Sequence, residues 1–443
     1  VKRLTAPVRL IAAAALAAAL VATSSAAQAA AASPAGAAAA AHRDRPAGGG
    51  ADWVDTWTAM PQLTEPGNMP PAPFTQEDAV LADSTLRQTL HVTTGGSRIR
   101  LHFSNEFGGA PLPLTEVFVA LPRDGRAGVS AIEPGSSLPV TFGGRASVTV
   151  PVGAQYVSDP IDLPVAPGTN LTVTAYLAQG QASQSITSHP GSRTTSYLIA
   201  GDQAQAGDLP GATPVDHWYF LSAVEAWSGR GTTATAILGD SLTDGRGSTT
   251  NGNNRWPDQL FDRLQSQRAT DDVAVLNQAA GGNRVLNDGL GPSAISRLNR
   301  DVFAHSGVTR LLVFEGVNDI GTAAATPQAQ DAVAADLITA FAQIVTQAHA
   351  HDIEVYGATL LPFGNNTGYD DPEGLRESAR QTVNAWIRNS GTFDAVLDFD
   401  RAVRDPAHPD QLLPGIHDGD WLHLTPEGYG LLAGAVPTSL FRG

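Results

Sequence analysis

The chain has 443 residues and a formal net charge of −16, from 43 acidic and 27 basic side chains. That length suits roughly two or three domains, and 16% charged residues beside 45 Gly and 30 Pro describe a loop-rich globular protein, not a coiled coil or a disordered acidic tail. The acidic balance argues against nucleic acid as a partner, because binding a phosphate backbone needs a basic footprint. Cys is absent, which excludes disulfides, thiol nucleophiles and Cys-ligated zinc or iron–sulfur sites. Lys2 is the sole lysine, so P-loop, Schiff-base and Ser-x-x-Lys chemistry are unavailable to the rest of the chain. The nucleophiles that remain are Ser, Thr, Asp, Glu, His and Tyr.

The first segment reads as a targeting signal. Lys2, Arg3 and Arg9 are followed by an apolar run over residues 10–21 and by the small-x-small site Ala27-Gln28-Ala29. The run falls short of the roughly 20 residues that span a bilayer, so residues 1–29 are expected to be a cleaved signal peptide and the product secreted. Residues 30–51, rich in Ala, Gly and Pro, lack hydrophobic periodicity and read as a tether. No later run is long enough to span a membrane.

Over residues 52–230 the period is two. Ile99, Leu101 and Phe103 alternate with polar neighbours, as do Val148, Val150 and Val152, and Leu171, Val173, Ala175 and Leu177. Turn signals at Gly95-Gly96, Gly108-Gly109, Gly143-Gly144 and Pro167-Gly168 separate these runs. The pattern predicts an antiparallel sandwich or jelly roll.

Over residues 231–443 short apolar runs alternate with helical patterns. Strands are predicted at 234–238, around Val273, Val275 and Leu276, at 311–314, from Ile353, and at 396–399. Helices are predicted from Pro257, over 332–348, over 375–387, and over 426–440 with Thr425 as N-cap. Alternating strands and helices make a parallel sheet, and ligands of such sheets bind at the carboxyl ends of the strands.

Those ends carry the parts that acyl transfer needs. After the first strand stands Gly239-Asp240-Ser241-Leu242, after the second Ala280-Gly281-Gly282-Asn283, after the third Glu315-Gly316-Val317-Asn318-Asp319, and before the last helix Asp420-Trp421-Leu422-His423. A serine hydroxyl needs an adjacent base to become nucleophilic. His423 is the candidate base, and Asp420, three residues before it, can fold back on the imidazole. The oxyanion needs donors: the Ser241 N–H, the Asn318 side chain, and a glycine N–H from the second block. That N–H is assigned to Gly282, with Gly281 as the alternative one residue away. Gly-x-Ser-x-Gly, the elbow of α/β-hydrolases, is absent. His417, Asp418, Asp420 and His423 crowd together, but no familiar metal-ligand spacing occurs.

In these four blocks the sequence resembles the SGNH, or GDSL, hydrolase family. The resemblance assigns the four eponymous residues to Ser241, Gly282, Asn318 and His423. It implies a flavodoxin-like three-layer α/β/α domain over residues 231–443 that hydrolyses carboxylic esters without metal or cofactor. A preceding β-rich domain is similar to the arrangement in secreted actinobacterial members.

The expectation is a secreted serine esterase acting through an acyl-enzyme at Ser241, on short acyl groups of carbohydrates. The alternatives are a lipase or phospholipase, and a polysaccharide-binding protein with a vestigial hydrolase half. Trp53, Trp57, Trp218 and Trp227 would serve binding or pack the sandwich. Trp256 and Trp421 would wall the site or pack the core. His189 and His217 are solitary, and Asp244 and Arg246, after the nucleophile turn, read as a structural salt link or cap and not as catalytic groups.

Overall fold

The computed structural model describes residues 50–442. The expected signal peptide, residues 1–29, and all but the last two residues of the expected tether lie outside the described residues. Ala51 already begins the first strand.

Up to Gly229 every strand pairing is antiparallel. One sheet orders the strands Ala51–Thr58, Leu221–Gly229, Ile99–Ser104 and Gln155–Val157. A six-stranded sheet has Ser84–His91 and Asn170–Leu177 at its centre. Leu101 and Phe103 from the first sheet and Leu86, Leu90 and Val173 from the second share one core. The period-two reading holds at Ile99, Leu101 and Phe103, which are buried while Arg100 and His102 are half-buried. In Asn170–Leu177 Thr172 and Thr174 are buried as well, because this strand is central in its sheet and Arg87 reaches across it to Thr174 Oγ1 at 2.9 Å.

The second half is built on five parallel strands: β1 (Thr233–Gly239), β2 (Val273–Ala279), β3 (Val308–Phe314), β4 (Glu354–Ala358) and β5 (Ala395–Leu397). Their order is β2-β1-β3-β4-β5, the flavodoxin-like arrangement. Eight α-helices accompany them: α1 (Ser241–Asp244), α2 (Trp256–Gln265), α3 (Ala294–Leu298), α4 (Val317–Thr322), α5 (Pro327–His349), α6 (Leu375–Asn389), α7 (Phe399–Val403) and α8 (Pro426–Ala435). Helix α8 packs on α2 and α7, and α5 on α4 and α6, giving the two helical layers of an α/β/α domain.

Most elements run a few residues beyond the sequence reading, as with α5 from Pro327 and β3 from Val308; two boundaries fall short of it for a physical reason. The last strand stops at Leu397, and Phe399 opens α7, where the Asp398 side chain caps the Arg401 N–H. Helix α8 ends at Ala435, because Pro437 has no N–H and disfavours helical geometry in the residue before it. The Thr425 cap is present, its hydroxyl accepting from the Gly428 N–H.

The β half closes the open edge of the parallel sheet. Strand β2 is an edge strand, a row of unpaired polar groups that invites association. Thr93 Oγ1 accepts from the Val275 N–H at 3.0 Å and donates to its carbonyl at 3.1 Å, while Val54 packs with Ala234, Ala274 and Leu276. Nearby, Asp55 accepts from the Ser306 N–H at 2.7 Å and lies 3.1 Å from His305 Nδ1. Among the described residues no helix is long and apolar enough to cross a membrane.

Candidate active site

The parallel register brings three strand ends to one level. Gly239 pairs with Ala279 of β2 on one side and Phe314 of β3 on the other. The segments that follow therefore leave the sheet side by side at its carboxyl edge, where strand order reverses.

Ser241 is the first residue of α1. Asp240 caps this short helix, accepting the Leu242 N–H at 2.9 Å. Gly245 ends it at φ 95°, a left-handed conformation suited to glycine. Complete burial pushes the Asp240 carboxyl up to about 7.

Ser241 Oγ lies 2.8 Å from His423 Nε2, and His423 Nδ1 lies 2.5 Å from Asp420 Oδ2. The other Asp420 oxygen accepts the N–H groups of Leu422 at 2.9 Å and His423 at 2.8 Å. Burial opposes ionisation of Asp420, but these donors outweigh it and hold the carboxyl well below the usual range. Burial lowers the His423 pKa, outweighing the attraction of Asp420. Asn366 Nδ2 donates to the Asp420 carbonyl at 2.7 Å and steadies the turn.

Asn318 sits in the first turn of α4. Its Nδ2 donates to the Asn283 carbonyl at 2.8 Å, and its Oδ1 accepts from the Tyr369 hydroxyl at 2.6 Å. These two partners fix which end of the amide is nitrogen and leave its second N–H free. Asp319 accepts the N–H groups of Val285 at 2.9 Å and Leu286 at 3.0 Å, tying the second block to α4. Gly281 and Gly282 both line the cleft beside Ser241 and Asn318, and Gly282 adopts φ 72°. Neither N–H, nor that of Ser241, donates to a backbone acceptor among the described residues.

These groups open into a cleft of about 700 Å³. The β half forms one wall of it with Gln62, Glu65, Asn68, Pro190, Gly191 and Arg193. His189 is no bystander. It is buried, with Nε2 2.9 Å from Asp244 Oδ1 and Nδ1 3.0 Å from the Met60 carbonyl. The salt link expected at Asp244 is made with His189, while Arg246 lines the cleft. A Cβ on Gly191 would overlap the Asp244 carboxylate, which cannot retreat without leaving His189. Gly191→Ala is therefore expected to destabilise the fold by about 1–3 kcal/mol, read as a lowered midpoint in chemical denaturation.

Other candidates are structural. Trp256 is buried and donates to Thr243 Oγ1 at 3.1 Å. Trp421 stacks near His417, with ring centroids 4.3 Å apart. Trp57 and Trp218 are buried edge to face at 4.9 Å. Trp53 and Trp227 contact each other at 5.3 Å, with Arg98 over both rings. His217 Nδ1 lies 2.7 Å from the Pro190 carbonyl. Asp418, Asp420 and His423 offer ligand atoms within 4.8 Å of one another, yet both ring nitrogens of His423 are already engaged. Tyr369 and Arg193 escaped the sequence reading. Tyr369 stands in the long segment after β4, where the strand-end rule points.

A parallel sheet with these residues at its switch point defines an esterase-like hydrolase, and residues 237–431 match the model of the GDSL-like lipase/acylhydrolase family. That stretch is a hydrolase domain of the GDSL-like lipase/acylhydrolase, or SGNH, type. Among solved structures it is similar to a GDSL-like lipase from Bacteroides thetaiotaomicron, at 17% identity and TM-score 0.35, covering 47% of this chain and 88% of the other. It is also similar to a catalytic mutant of an acetylxylan esterase from Geobacillus stearothermophilus, at 17% identity and TM-score 0.35, covering 46% and 91%. No curated protein matches the chain.

Proposed function

We propose that this is a secreted serine esterase that removes short acyl groups from a carbohydrate. Ser241 attacks the acyl carbonyl while His423 Nε2 takes its proton, and Asp420 holds the imidazole with Nδ1–H towards the carboxylate. The oxyanion accepts from the N–H groups of Ser241 and Gly282 and from the free N–H of Asn318. Collapse expels the alcohol with the proton from His423, and water repeats the sequence on the acyl-enzyme. The observation that carries this reading is the unbroken hydrogen-bonded series from Ser241 through His423 to Asp420 at the floor of the cleft.

Acyl length is argued from the walls. Pro190, Leu290, Leu422 and Tyr369 give the lining short apolar patches set among amides, charged groups and glycine. A long acyl chain needs an extended apolar pocket, whereas patches of this size suit a short acyl group. Secretion rests on the signal-peptide pattern of residues 1–29.

The test is hydrolysis of p-nitrophenyl esters of increasing chain length. Activity greatest at acetate or butyrate is expected. A maximum at long chains would establish a lipase instead, and no hydrolysis at any length would overturn the esterase reading. The pH profile supplies a further check. His423 must be neutral to act as base, and burial lowers its pKa, so the acidic limb of kcat/KM is expected below the ordinary imidazole value of about 6.5. A limb above that value would exclude this environment for the base.

A further inference from the structure

The cleft holds two cationic side chains that the acyl transfer does not use. Arg193 comes from the β half, on the loop after the strand Thr187–His189, and Arg246 follows the nucleophile turn; both line the cavity onto which Ser241 and His423 open. Arg193 Nε is shielded from solvent and has no hydrogen-bond partner. The nearest carboxylate oxygen, Asp244 Oδ2, is 4.0 Å from its guanidinium, beyond hydrogen-bonding distance, and Asp244 is held by His189. Among the described residues Arg246 has no ion-pair partner, and its charge reaches the His423 imidazole. Glu65, on the wall that also carries Arg193, is occupied too. Its carboxylate accepts the side-chain amides of Gln62 and of Asn68, the latter at 2.9 Å.

Two guanidinium groups with spare donors thus face one cleft in a chain whose net charge is −16. A shielded donor without a partner is costly, and the planar fork of arginine is shaped for a carboxylate or phosphate. Building on the esterase reading, we infer that the alcohol part of the substrate carries an anion, the carboxylate of an acidic sugar, bound by Arg193 and Arg246. The same wall argues for a sugar. Gln62, Asn68 and Glu65 bond one another but keep spare lone pairs and N–H groups for hydroxyls, and the four apolar side chains of the lining are few for the chains of an anionic phospholipid. In this arrangement the α/β half performs the chemistry and the β half reads the alcohol.

The experiment compares kcat/KM at low ionic strength for three acyl esters: an acetylated methyl glucuronoside, the acetylated methyl glucoside, and an anionic short-chain phosphatidylglycerol. The acidic sugar is expected to exceed the neutral one by about tenfold, the scale of one charge-assisted hydrogen bond. Arg193→Gln and Arg246→Gln should each bring that ratio towards one, Arg193→Lys should recover part of it, and salt at about 0.5 M should shrink it. A wild-type ratio near one overturns the inference, as does preference for the phospholipid. Calorimetry of unacetylated methyl glucuronoside and methyl glucoside with the Ser241→Ala protein separates this inference from the esterase reading. Tighter binding of the glucuronoside sustains the arginine site even if no ester is turned over, and equal affinities sink it.

Discussion

Ser241→Ala is expected to lower kcat on p-nitrophenyl acetate by at least about 10⁴-fold, because a serine nucleophile and its base act as a unit. The substitution removes one oxygen from a residue whose backbone stays defined. Asp240 still caps the Leu242 N–H and Gly245 still ends α1, so stability should change little and the N–H that faces the oxyanion remains. Residual hydrolysis should come from the oxyanion donors and substrate binding alone. A phosphonate that labels serine nucleophiles should modify the wild type and leave the variant untouched. A loss of less than about tenfold, with the label still incorporated, would move the nucleophile elsewhere.

How much of this was written locally in the chain differs between the two halves of the site. That Ser241, the Gly281-Gly282 pair, Asn318 and His423 share one edge was legible because each follows a short apolar run or precedes the last helix, and a parallel sheet gathers such positions at one edge. Register does the rest, through the pairing of Gly239 with Ala279 and Phe314. The wall supplied by the β half left no such trace. Arg193 is 48 residues before Ser241 in the chain, as numbered, and sits on a loop whose place depends on His189 meeting Asp244. Antiparallel sandwiches set strand neighbours by long-range pairing, as where Asn170–Leu177 meets Ser84–His91, and a period of two carries no address for such partners. His189 looked bland because a histidine alone announces neither a carboxylate nor a carbonyl partner. Tyr369 is an intermediate case. It lies beyond β4, on the correct side of the sheet, but only the fixed amide of Asn318 reveals what its hydroxyl does.

The joint between the halves also changes what the β half is. A module that merely tethers an enzyme to a surface would leave the cleft unaltered on removal. Here Thr93 bonds the edge strand β2, and Pro190, Gly191 and Arg193 border the cleft itself. The sheet edge and the active-site wall are therefore served by one packed surface, and the alcohol specificity of the enzyme is expected to follow the β half.

Asp420→Asn is expected to lower kcat/KM by about 10⁴-fold while leaving the fold intact. Asparagine keeps one oxygen for the N–H groups of Leu422 and His423, so the turn survives. At the second position the carboxylate oxygen becomes an NH₂ that would donate to Nδ1. The imidazole must then carry its proton on Nε2, which faces Ser241 at 2.8 Å, and a protonated Nε2 cannot accept the serine proton. Asp418 complicates the reading, because burial and the charge of Asp420 raise its pKa and its carboxylate stands close to the same imidazole. If Asp418 substitutes for the missing charge, the single variant will retain more activity than this argument allows. Asp418→Asn with Asp420→Asn should remove that remainder, whereas Asp418→Asn alone should cost little. Near wild-type kcat/KM in the double variant would reduce Asp420 to a turn residue and leave His423 oriented by its packing alone.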